Sequence, residues 1–323
     1  MKVLVVVEHD RGDLADASRE AMAVGRTQRG EGSLVALTIG AKADGLADEL
    51  VALGADEVRQ AHHDLLGDYG PEAWGEVVVQ VVRGVEPGLV LAPGTDRGNE
   101  VLAQAAARLD VPMVANCTTI DVADDRLHVT RVRWGGSLLE EATGRGPVHL
   151  ATVAEHSVDG ATTDPPGHGE VAVFEPELDP ALARSVVRDR VERQAGITLA
   201  TAPVVVGGGR GVGSADGFAP LEELAALLGG VVGCSRAVTN NGWRNHTDQV
   251  GQTGTRIAPT VYVACGISGA IQHWVGAMAA KNIVAINTDP EANMVTKAGY
   301  AVIGDLHQVI PAISTEIRRR RES

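Results

Sequence analysis

Short apolar runs that alternate with amphipathic segments are the feature that most constrains the fold of this chain. In the N-terminal part, such runs predict strands at residues 3–7, 34–39, 57–59, 89–92 and 113–117. Helical periodicity lies between these runs, at residues 14–24, 43–53, 71–85 and 99–109. Strands that alternate with helices of this length indicate β-α-β units and a parallel sheet.

A stretch of alternating polarity follows. Residues 127–134 alternate between apolar and polar side chains, Gly135 and Gly136 predict a turn, and residues 148–153 predict another strand. We expect this part to form antiparallel structure appended to the parallel sheet. Residues 159–169 are rich in Asp, Pro and Gly, which predicts a loop.

A second β-α-β pattern occupies the C-terminal part of the chain. Its apolar runs predict strands at residues 203–206, 231–234, 261–265, 283–286 and 301–303. Helices are predicted at residues 220–228 and after Ser268. The pattern therefore indicates an α/β protein with two doubly wound parallel-sheet domains.

The domain boundaries follow from these two patterns. We predict an N-terminal α/β domain at residues 1–190, a linker at residues 191–202 and a C-terminal domain at residues 203–323. The charged residues 182–194 predict a helix or an edge strand that bridges the two domains.

Composition excludes several classes of function. The net charge of -14 argues against nonspecific binding to nucleic acid, because phosphates would be repelled. Cys117, Cys234 and Cys265 are far apart in sequence and form no C-x-x-C pair, so the sequence gives little support to a structural zinc site or a disulfide framework. No apolar run approaches the roughly 18 residues that span a membrane, and the chain begins with a strand rather than a leader. We therefore expect a cytoplasmic protein without membrane insertion.

Small and polar residues follow every strand predicted in the C-terminal domain. They are the segments 207–214, 235–236 and 266–273, then Asn287, and finally Asp305 with Leu306. In an open parallel sheet, ligands bind beyond the carboxyl ends of the strands, where the strand order switches. The convergence of five strand ends predicts a ligand site there.

Each segment also has a plain structural interpretation. Residues 207–214 could be a flexible turn, since they match neither the dinucleotide fingerprint, which Ser214 breaks, nor a P-loop. In the functional interpretation, Arg210 presents its guanidinium to an anionic group. The glycines of residues 266–269 offer backbone N–H groups to a pyrophosphate, although Ser268 could simply cap the following helix.

Histidines are more often structural than functional. His273 gains weight as a site residue from its neighbours Gln272, Arg236 and residues 249–254. His62 and His63 lie in a polar loop without acidic or thiol ligands at metal spacing, so we expect no metal there.

The assembled motifs resemble the large (alpha) subunit of electron transfer flavoprotein. The resemblance rests on GGGRGVGS, CSRAV, QVGQTG, APTVYVACGISGAIQH, IVAINTDPEA and GDL, and it runs nearly unbroken from residue 203 to residue 313. It implies a flavodoxin-like C-terminal domain that binds FAD and an N-terminal domain that packs against a smaller beta subunit.

The same resemblance implies a set of FAD-binding residues. Arg236 would lie against the isoalloxazine ring, Thr253 would bond near flavin N5, and His273 with Gln272 would face the N1 and O2 side. Asn287 and Asp305 would hold the adenosine end. The rest of the implied set is Arg210, Ser235, Val250, Gly251, Gln252, Ser268, Gly269, Ala270, Ile271 and Leu306.

The implied function is electron transfer rather than an enzymatic reaction on a substrate of its own. As a heterodimer with the beta subunit, the protein would accept electrons from acyl-CoA or other dehydrogenases, as in fatty acid oxidation, and pass them to a quinone oxidoreductase. A guanidinium and an imidazole would stabilise the negative charge that electron uptake places on the flavin.

Departures and alternatives accompany this interpretation. Thr255 and Thr288 stand where the family usually has lysine, Asn240 stands near a usual acidic position, and Asn293 with Met294 replaces a Pro-Ile pair. The alternatives are an adenine-nucleotide-binding or sensor protein without a redox role, a subunit that has lost its cofactor, and a subunit of a flavin-bifurcating complex.

Overall fold

The chain divides into two structural units. The computed structural model describes residues 1–158, 160, 169–188 and 197–321. One unit comprises Met1–Trp134 and Leu138–Glu192, and the other comprises Gly135–Ser137 and Arg193–Ser323.

Several sequence predictions fall partly or wholly on undescribed residues. The loop predicted at 159–169, the end of the charged segment at 182–194 and part of the linker at 191–202 lie outside the described residues. The domain boundaries at 190 and 203 therefore stay predictions.

The first unit is built on strands and helices that alternate along the chain. Its strands are β1 (Val3–Val6), β2 (His9–Asp10), β3 (Asp13–Leu14), β4 (Leu34–Ile39), β5 (Glu57–Ala61), β6 (Leu89–Pro93), β7 (Met113–Ala123), β8 (Arg126–Arg133), β9 (Leu138–Arg145), β10 (His149–Val153) and β11 (Glu170–Phe174). Its helices are α1 (Asp16–Arg29), α2 (Ala47–Ala52), α3 (Pro71–Val85) and α4 (Asp96–Leu109). Short 3₁₀ helices lie at Ala41–Leu46, Asp64–Leu66 and Pro180–Leu182, and a further one, Trp134–Gly136, begins at the last residue before Gly135–Ser137, which belong to the other unit.

Nine of these strands form one large mixed sheet in the order β11-β5-β4-β1-β6-β10-β7-β8-β9, whereas β2 and β3 pair antiparallel in a small sheet of their own. The pairings from β11 to β7 are parallel, whereas β8 pairs antiparallel with both β7 and β9. The prediction of a parallel sheet with an appended antiparallel part is therefore confirmed.

The prediction for residues 148–153 was wrong in its orientation. This segment is β10, which runs parallel to β6 and β7 and lies between them rather than in the antiparallel extension. All five of its residues are buried, as a strand covered on both faces requires. Strands β9 and β11 were not predicted, because most of their side chains are exposed and their apolar pattern is weak.

Alternate residues of the central strands supply the two apolar layers of the first unit. Leu4 and Val6 of β1 face a layer that includes α3 and α4, whereas Val3 and Val5 face a layer that includes α1. Each fully buried aliphatic side chain of this kind contributes roughly 1.5–3 kcal/mol relative to exposure. These two layers cover the faces of the sheet, so the carboxyl ends of its strands remain available to line a cavity.

The second unit has the same alternation on a smaller scale. Its strands are β12 (Val204–Gly208), β13 (Val231–Cys234), β14 (Val261–Cys265), β15 (Ile283–Asn287) and β16 (Tyr300–Ile303). Its helices are α5 (Ala219–Leu227), α6 (Arg236–Asn240), α7 (Ile271–Ala277), α8 (Asn293–Lys297) and α9 (Leu306–Arg321). Short 3₁₀ helices lie at Arg210–Val212, Asp216–Phe218 and His246–Asp248.

The strand order of the second unit identifies its topology. The sheet is fully parallel and has the order β13-β12-β14-β15-β16. Counted along the chain this is 2-1-3-4-5, the flavodoxin-like order, whose switch point lies between its first and third strands. The flavodoxin-like prediction is confirmed, and the switch point lies between β12 and β14.

Two further features of the described residues bear on function. None of their helices is both long enough and apolar enough to cross a bilayer. The three cysteines are free and buried, and Cys265 lies in the core of the second unit, as the sequence predicted.

We expect replacement of Glu20 by glutamine to remove a pH dependence of stability. Glu20 is buried, and its carboxylate accepts hydrogen bonds from the N–H groups of His156 (3.1 Å) and Ser157 (3.3 Å). Burial raises the pKa of the Glu20 carboxyl to about 7. Its contribution to stability is therefore fully present below its ordinary pKa and is lost as the pH rises through about 7.

Urea unfolding of wild type and Glu20→Gln measures this effect. Between pH 5 and pH 8 the variant should gain about 2 kcal/mol of unfolding free energy relative to wild type. The exposed Glu31 provides the matched control, since Glu31→Gln should show no such change. A constant difference between Glu20→Gln and wild type at both pH values would contradict the prediction.

Candidate functional site

A cleft of about 730 Å³ lies at the carboxyl ends of the strands of the second unit. Its position matches the switch point between β12 and β14, where open α/β sheets bind ligands. Most of the predicted FAD-binding residues line it: Arg210, Ser235, Arg236, Ser268, Gly269, Ala270, Gln272, His273, Asn287, Asp305 and Leu306.

The other predicted residues lie outside this lining. They are Val250, Gly251, Gln252, Thr253 and Ile271. The loop that carries the first four is nevertheless tied to α7, because the N–H of Gln252 donates to the carbonyl of Gln272 at 2.7 Å. The loop is thus held beside the helix that borders the cleft.

Glycines allow the loops after β12 and β14 to touch backbone to backbone. A Cβ atom on Gly209 would lie 2.2 Å from the carbonyl oxygen of Gly266, and one on Gly211 would lie 2.8 Å from the Cα of Gly266. The N–H groups of Gly209 and Gly211 donate to the carbonyls of Cys265 and Gly266. The segment is therefore a fixed, hydrogen-bonded turn rather than a flexible one.

The charges around the cleft are separated. Arg210 and Arg236 are exposed, line the side formed by β12 and β13, and form no ion pair with any described carboxylate. Asp289 and Asp305 line the side formed by β15 and β16. One side of the cleft can thus bind an anion, while the other can accept hydrogen bonds from hydroxyl groups.

His273 is the buried titratable group of the cleft. It is 7% exposed, and its Nε2 lies 2.8 Å from the hydroxyl oxygen of Tyr262, which is fully buried. Burial lowers the pKa of His273 to about 4, an effect that the backbone of Val250 only partly opposes. The imidazole is therefore neutral near pH 7.

The hydrogen bond with Tyr262 selects one tautomer of His273. Nδ1 is buried and makes no well-formed hydrogen bond with the described residues. If Nε2 carried the proton, both the phenol hydrogen and the Nδ1 lone pair would lack partners. If the phenol donates to Nε2, only the Nδ1–H is left over, and the cost is smaller. His273 therefore offers an N–H donor at Nδ1.

The buried side chain of Gln249 fixes the position of Thr253, one of the predicted site residues. Gln249 is 2% exposed, donates from Nε2 to Oγ1 of Thr253 at 2.9 Å, and accepts from the hydroxyl of Thr239 at 2.7 Å. The amide links the loop to α6. The Thr253 hydroxyl consequently has a fixed position and keeps its own hydrogen free to donate.

Asn287 and Asp305 shape the cleft as well as lining it. The Asn287 amide donates to the carbonyl of Ile267 at 3.0 Å and accepts from the N–H of Asp289 at 3.1 Å. The Asp305 carboxylate accepts from the N–H of His307 at 2.9 Å, where α9 begins. Both side chains therefore hold the loops whose edges form the site.

Sequence reasoning missed Tyr262, and it included Gln249 only as part of the segment 249–254, without a role of its own. A phenol within an apolar strand is a signal in itself, since a buried Tyr hydroxyl usually finds a hydrogen-bond partner. Its partner could not be named from the sequence, because strand and helix periodicities do not relate residues on different elements. Asn240, Thr288 and Asp289 also line the cleft, and two of these are positions where the sequence departs from the family resemblance.

The fold and the cleft define a class of protein: a two-unit α/β protein with a nucleotide-type ligand site at the switch point of a flavodoxin-like sheet. Comparisons with known proteins agree. Residues 198–278 match the family model of the electron transfer flavoprotein FAD-binding domain, and residues 3–179 match that of the electron transfer flavoprotein domain.

Similar proteins match over nearly the whole chain. The electron transfer flavoprotein subunit alpha of Bacillus subtilis is 34% identical, with 98% of each chain covered. That of Mycobacterium tuberculosis is 35% identical, with 99% of each covered. The Clostridium saccharobutylicum protein FixB is 36% identical, with 98% of this chain and 96% of that protein covered. The chain belongs to the electron transfer flavoprotein alpha-subunit family, with FAD as its cofactor.

The described residues fit FAD on structural grounds as well. The guanidinium groups of Arg210 and Arg236, which pair with no described carboxylate, suit an anionic diphosphate, and the buried imidazole of His273, which the Val250 backbone only partly engages, adds a polar group to the same lining. FAD supplies a ring that can take up and release electrons, which makes electron transfer the role of the protein.

We expect replacement of Tyr262 by phenylalanine to destabilise the second unit by about 2 kcal/mol. The change leaves the buried Nε2 of His273 without a partner, which costs roughly 1–3 kcal/mol. Urea unfolding followed at the second unit measures the effect. Tyr300→Phe is the matched control, because Tyr300 is 65% exposed on the edge strand β16. Equal stability of the two variants would contradict the proposed hydrogen bond.

Proposed function

We propose that this protein is the FAD-carrying subunit of a heterodimer with a beta subunit. It accepts electrons from acyl-CoA or other dehydrogenases and passes them to a quinone oxidoreductase. The observation that carries the proposal is the cleft whose lining brings together the Arg236 guanidinium, which pairs with no described carboxylate, and the buried imidazole of His273. We also propose that the cleft residues make the FAD contacts that the sequence predicted for them.

The cationic side chains have an electrostatic role. Reduction adds negative charge to a bound flavin, and Arg236 and Arg210 are positive charges at the cleft that pair with no described carboxylate. A charge pair about 4 Å apart at the edge of a protein interacts by roughly 4 kcal/mol before desolvation is counted. Arg236 would therefore favour the reduced cofactor over the oxidised one.

His273 has a different role, because it is neutral. Burial holds the pKa of its imidazole at about 4, so the ring keeps its single proton, at Nδ1, across the physiological range. A neutral donor can stabilise a flavin acceptor atom by a hydrogen bond without delivering a proton to it. The site would thus favour transfer of electrons unaccompanied by protons.

The pairing with a beta subunit is supported by the comparisons. Relatives that match nearly the whole chain are named as alpha subunits of electron transfer flavoprotein. The match of the C-terminal residues to an FAD-binding domain favours electron carriage over a nucleotide sensor without a redox role.

Co-purification tests the proposal. When this chain is produced together with its candidate beta subunit, we expect a yellow complex with one FAD in the site of this chain, seen by its flavin absorbance. A matched preparation with Gly209→Leu serves as the control, since a side chain at that position collides with the backbone of Gly266 and disrupts the cleft. A colourless wild-type complex that takes up no added FAD would overturn the proposal.

We expect Arg236→Ala to lower the reduction potential of the bound flavin by tens of millivolts. The substitution removes a positive charge from the cleft, and a partly exposed charge contributes on the order of 1 kcal/mol. Potentiometric titration of the FAD-loaded complex measures it. Lys281→Ala removes the same charge from an exposed position of the same unit outside the cleft lining, and should leave the potential unchanged. Equal potentials for wild type and Arg236→Ala would refute this role.

A further inference from the structure

A second cavity, of about 330 Å³, lies in the first unit. His9 borders it just after β1, Ile39 at the end of β4, and Arg97 in the helix that follows β6. After β1 the chain adds β4 and β5 on one side of it and then β6 on the other, so the strand order switches beside β1. The cavity therefore occupies the ligand-binding position of an open α/β sheet.

Aromatic side chains form one wall of this cavity. His9 stacks on Trp74 with ring centroids 5.6 Å apart, and Tyr69 meets Trp74 edge-on at 5.3 Å. Ile39 and Leu66 add aliphatic surface. The volume is at the small end of the roughly 300–1,000 Å³ range of ligand sites. The wall and the volume together suit a small ligand with an apolar or aromatic body.

Trp74 contributes a polar group that nothing in the described chain uses. Its side chain lines the cavity and is only 4% exposed, yet its Nε1–H has no acceptor among the described residues. A buried donor left without a partner costs roughly 1–3 kcal/mol, so natural proteins rarely retain one. A ligand that brings an acceptor atom would recover that cost.

One cation of the cavity lining has no ion-pair partner among the described residues. Arg11 pairs with Asp10 at 3.0 Å, and Lys42 pairs with Asp68 at 3.3 Å. Arg97 lies over the Tyr69 ring, 5.1 Å from its centroid, and forms no ion pair with a described carboxylate. His9 adds no charge, because burial lowers its pKa more than the hydrogen bond from its Nε2 to the carbonyl of Ile39 (2.9 Å) raises it, and its Nδ1 accepts from the N–H of Gly12 at 3.3 Å. Among the charged side chains of the lining, Arg97 is therefore the one without a described ion-pair partner, and the nearby Glu100 carboxylate, outside the lining, accepts from the Tyr69 hydroxyl at 2.8 Å.

We propose that this cavity binds a small aromatic carboxylate, with its carboxylate on Arg97 and an acceptor oxygen on the Trp74 indole N–H. A guanidinium matches a carboxylate in a two-point hydrogen-bonded pair. A single net positive charge balances a carboxylate, whereas a phosphate monoester would bring nearly two negative charges. The site is separate from the FAD cleft and does not depend on the proposed electron-transfer function.

Titration of the full-length, FAD-loaded protein with benzoate tests the proposal. The readout is the indole ¹H–¹⁵N NMR signal of Trp74, identified among the four tryptophans by its loss in Trp74→Phe. We expect benzoate to shift this signal saturably and in the direction of a new hydrogen bond. Benzamide, which keeps the ring and loses the charge, should bind at least about tenfold more weakly, equivalent to about 1.4 kcal/mol.

Two arginine variants separate the site from general charge effects. Arg97→Ala should weaken benzoate binding at least about tenfold, whereas Arg83→Ala, which removes an exposed charge from the same helix as Trp74, should leave it unchanged. Thermal unfolding shows whether Arg97→Ala is folded, and Arg97→Lys, which keeps the charge, should retain part of the affinity. Three outcomes would each overturn the proposal. They are a Trp74 signal that does not move, equal benzoate affinity of wild type and Arg97→Ala, and a response to AMP or inorganic phosphate but not to benzoate.

Discussion

The hydrogen bond between the Tyr262 hydroxyl and Nε2 of His273 connects the sheet of the second unit to the helix that borders its cleft. Space for it exists only because residue 207 is glycine, since a Cβ atom there would lie 2.3 Å from the Tyr262 hydroxyl oxygen. Burial makes the bond hard to replace, because neither polar group can turn to water. The bond orients the imidazole and places the ring proton at Nδ1, while burial keeps the ring neutral.

Both units place a cavity where the order of their parallel strands switches, but the two linings differ. The cleft of the second unit is wide, is approached by glycine-rich loops, and is lined by two guanidinium groups that pair with no described carboxylate. The cavity of the first unit is less than half that size and is walled by aromatic rings, and within the described part of the chain its Arg97 has no carboxylate partner. Sheet topology thus sets the position of each site, while the loops and the charge balance decide what each can bind.

The sequence revealed those elements whose burial leaves a periodic signal. For strands β4 and β14 and the helix α3, the predicted bounds match the observed ones, because these elements are buried on a regular pattern. The orientation of β10 was not predictable, since a short, fully apolar run fits either direction of pairing. The motifs identified the cleft residues through their family resemblance, whereas the partners of His273 and Thr253 depend on contacts between different elements.

The protonation state of the His273 ring is the sharpest test of the proposed hydrogen bond with Tyr262 and of the proposed cofactor site. Nitrogen NMR of ¹⁵N-histidine-labelled protein reports which ring nitrogen carries the proton and whether that N–H is hydrogen-bonded. We expect a neutral ring near pH 7 that is protonated at Nδ1. When FAD is added, the Nδ1 signal should move while Nε2 stays hydrogen-bonded to Tyr262. A doubly protonated ring, a proton at Nε2, or signals that do not respond to FAD would contradict it.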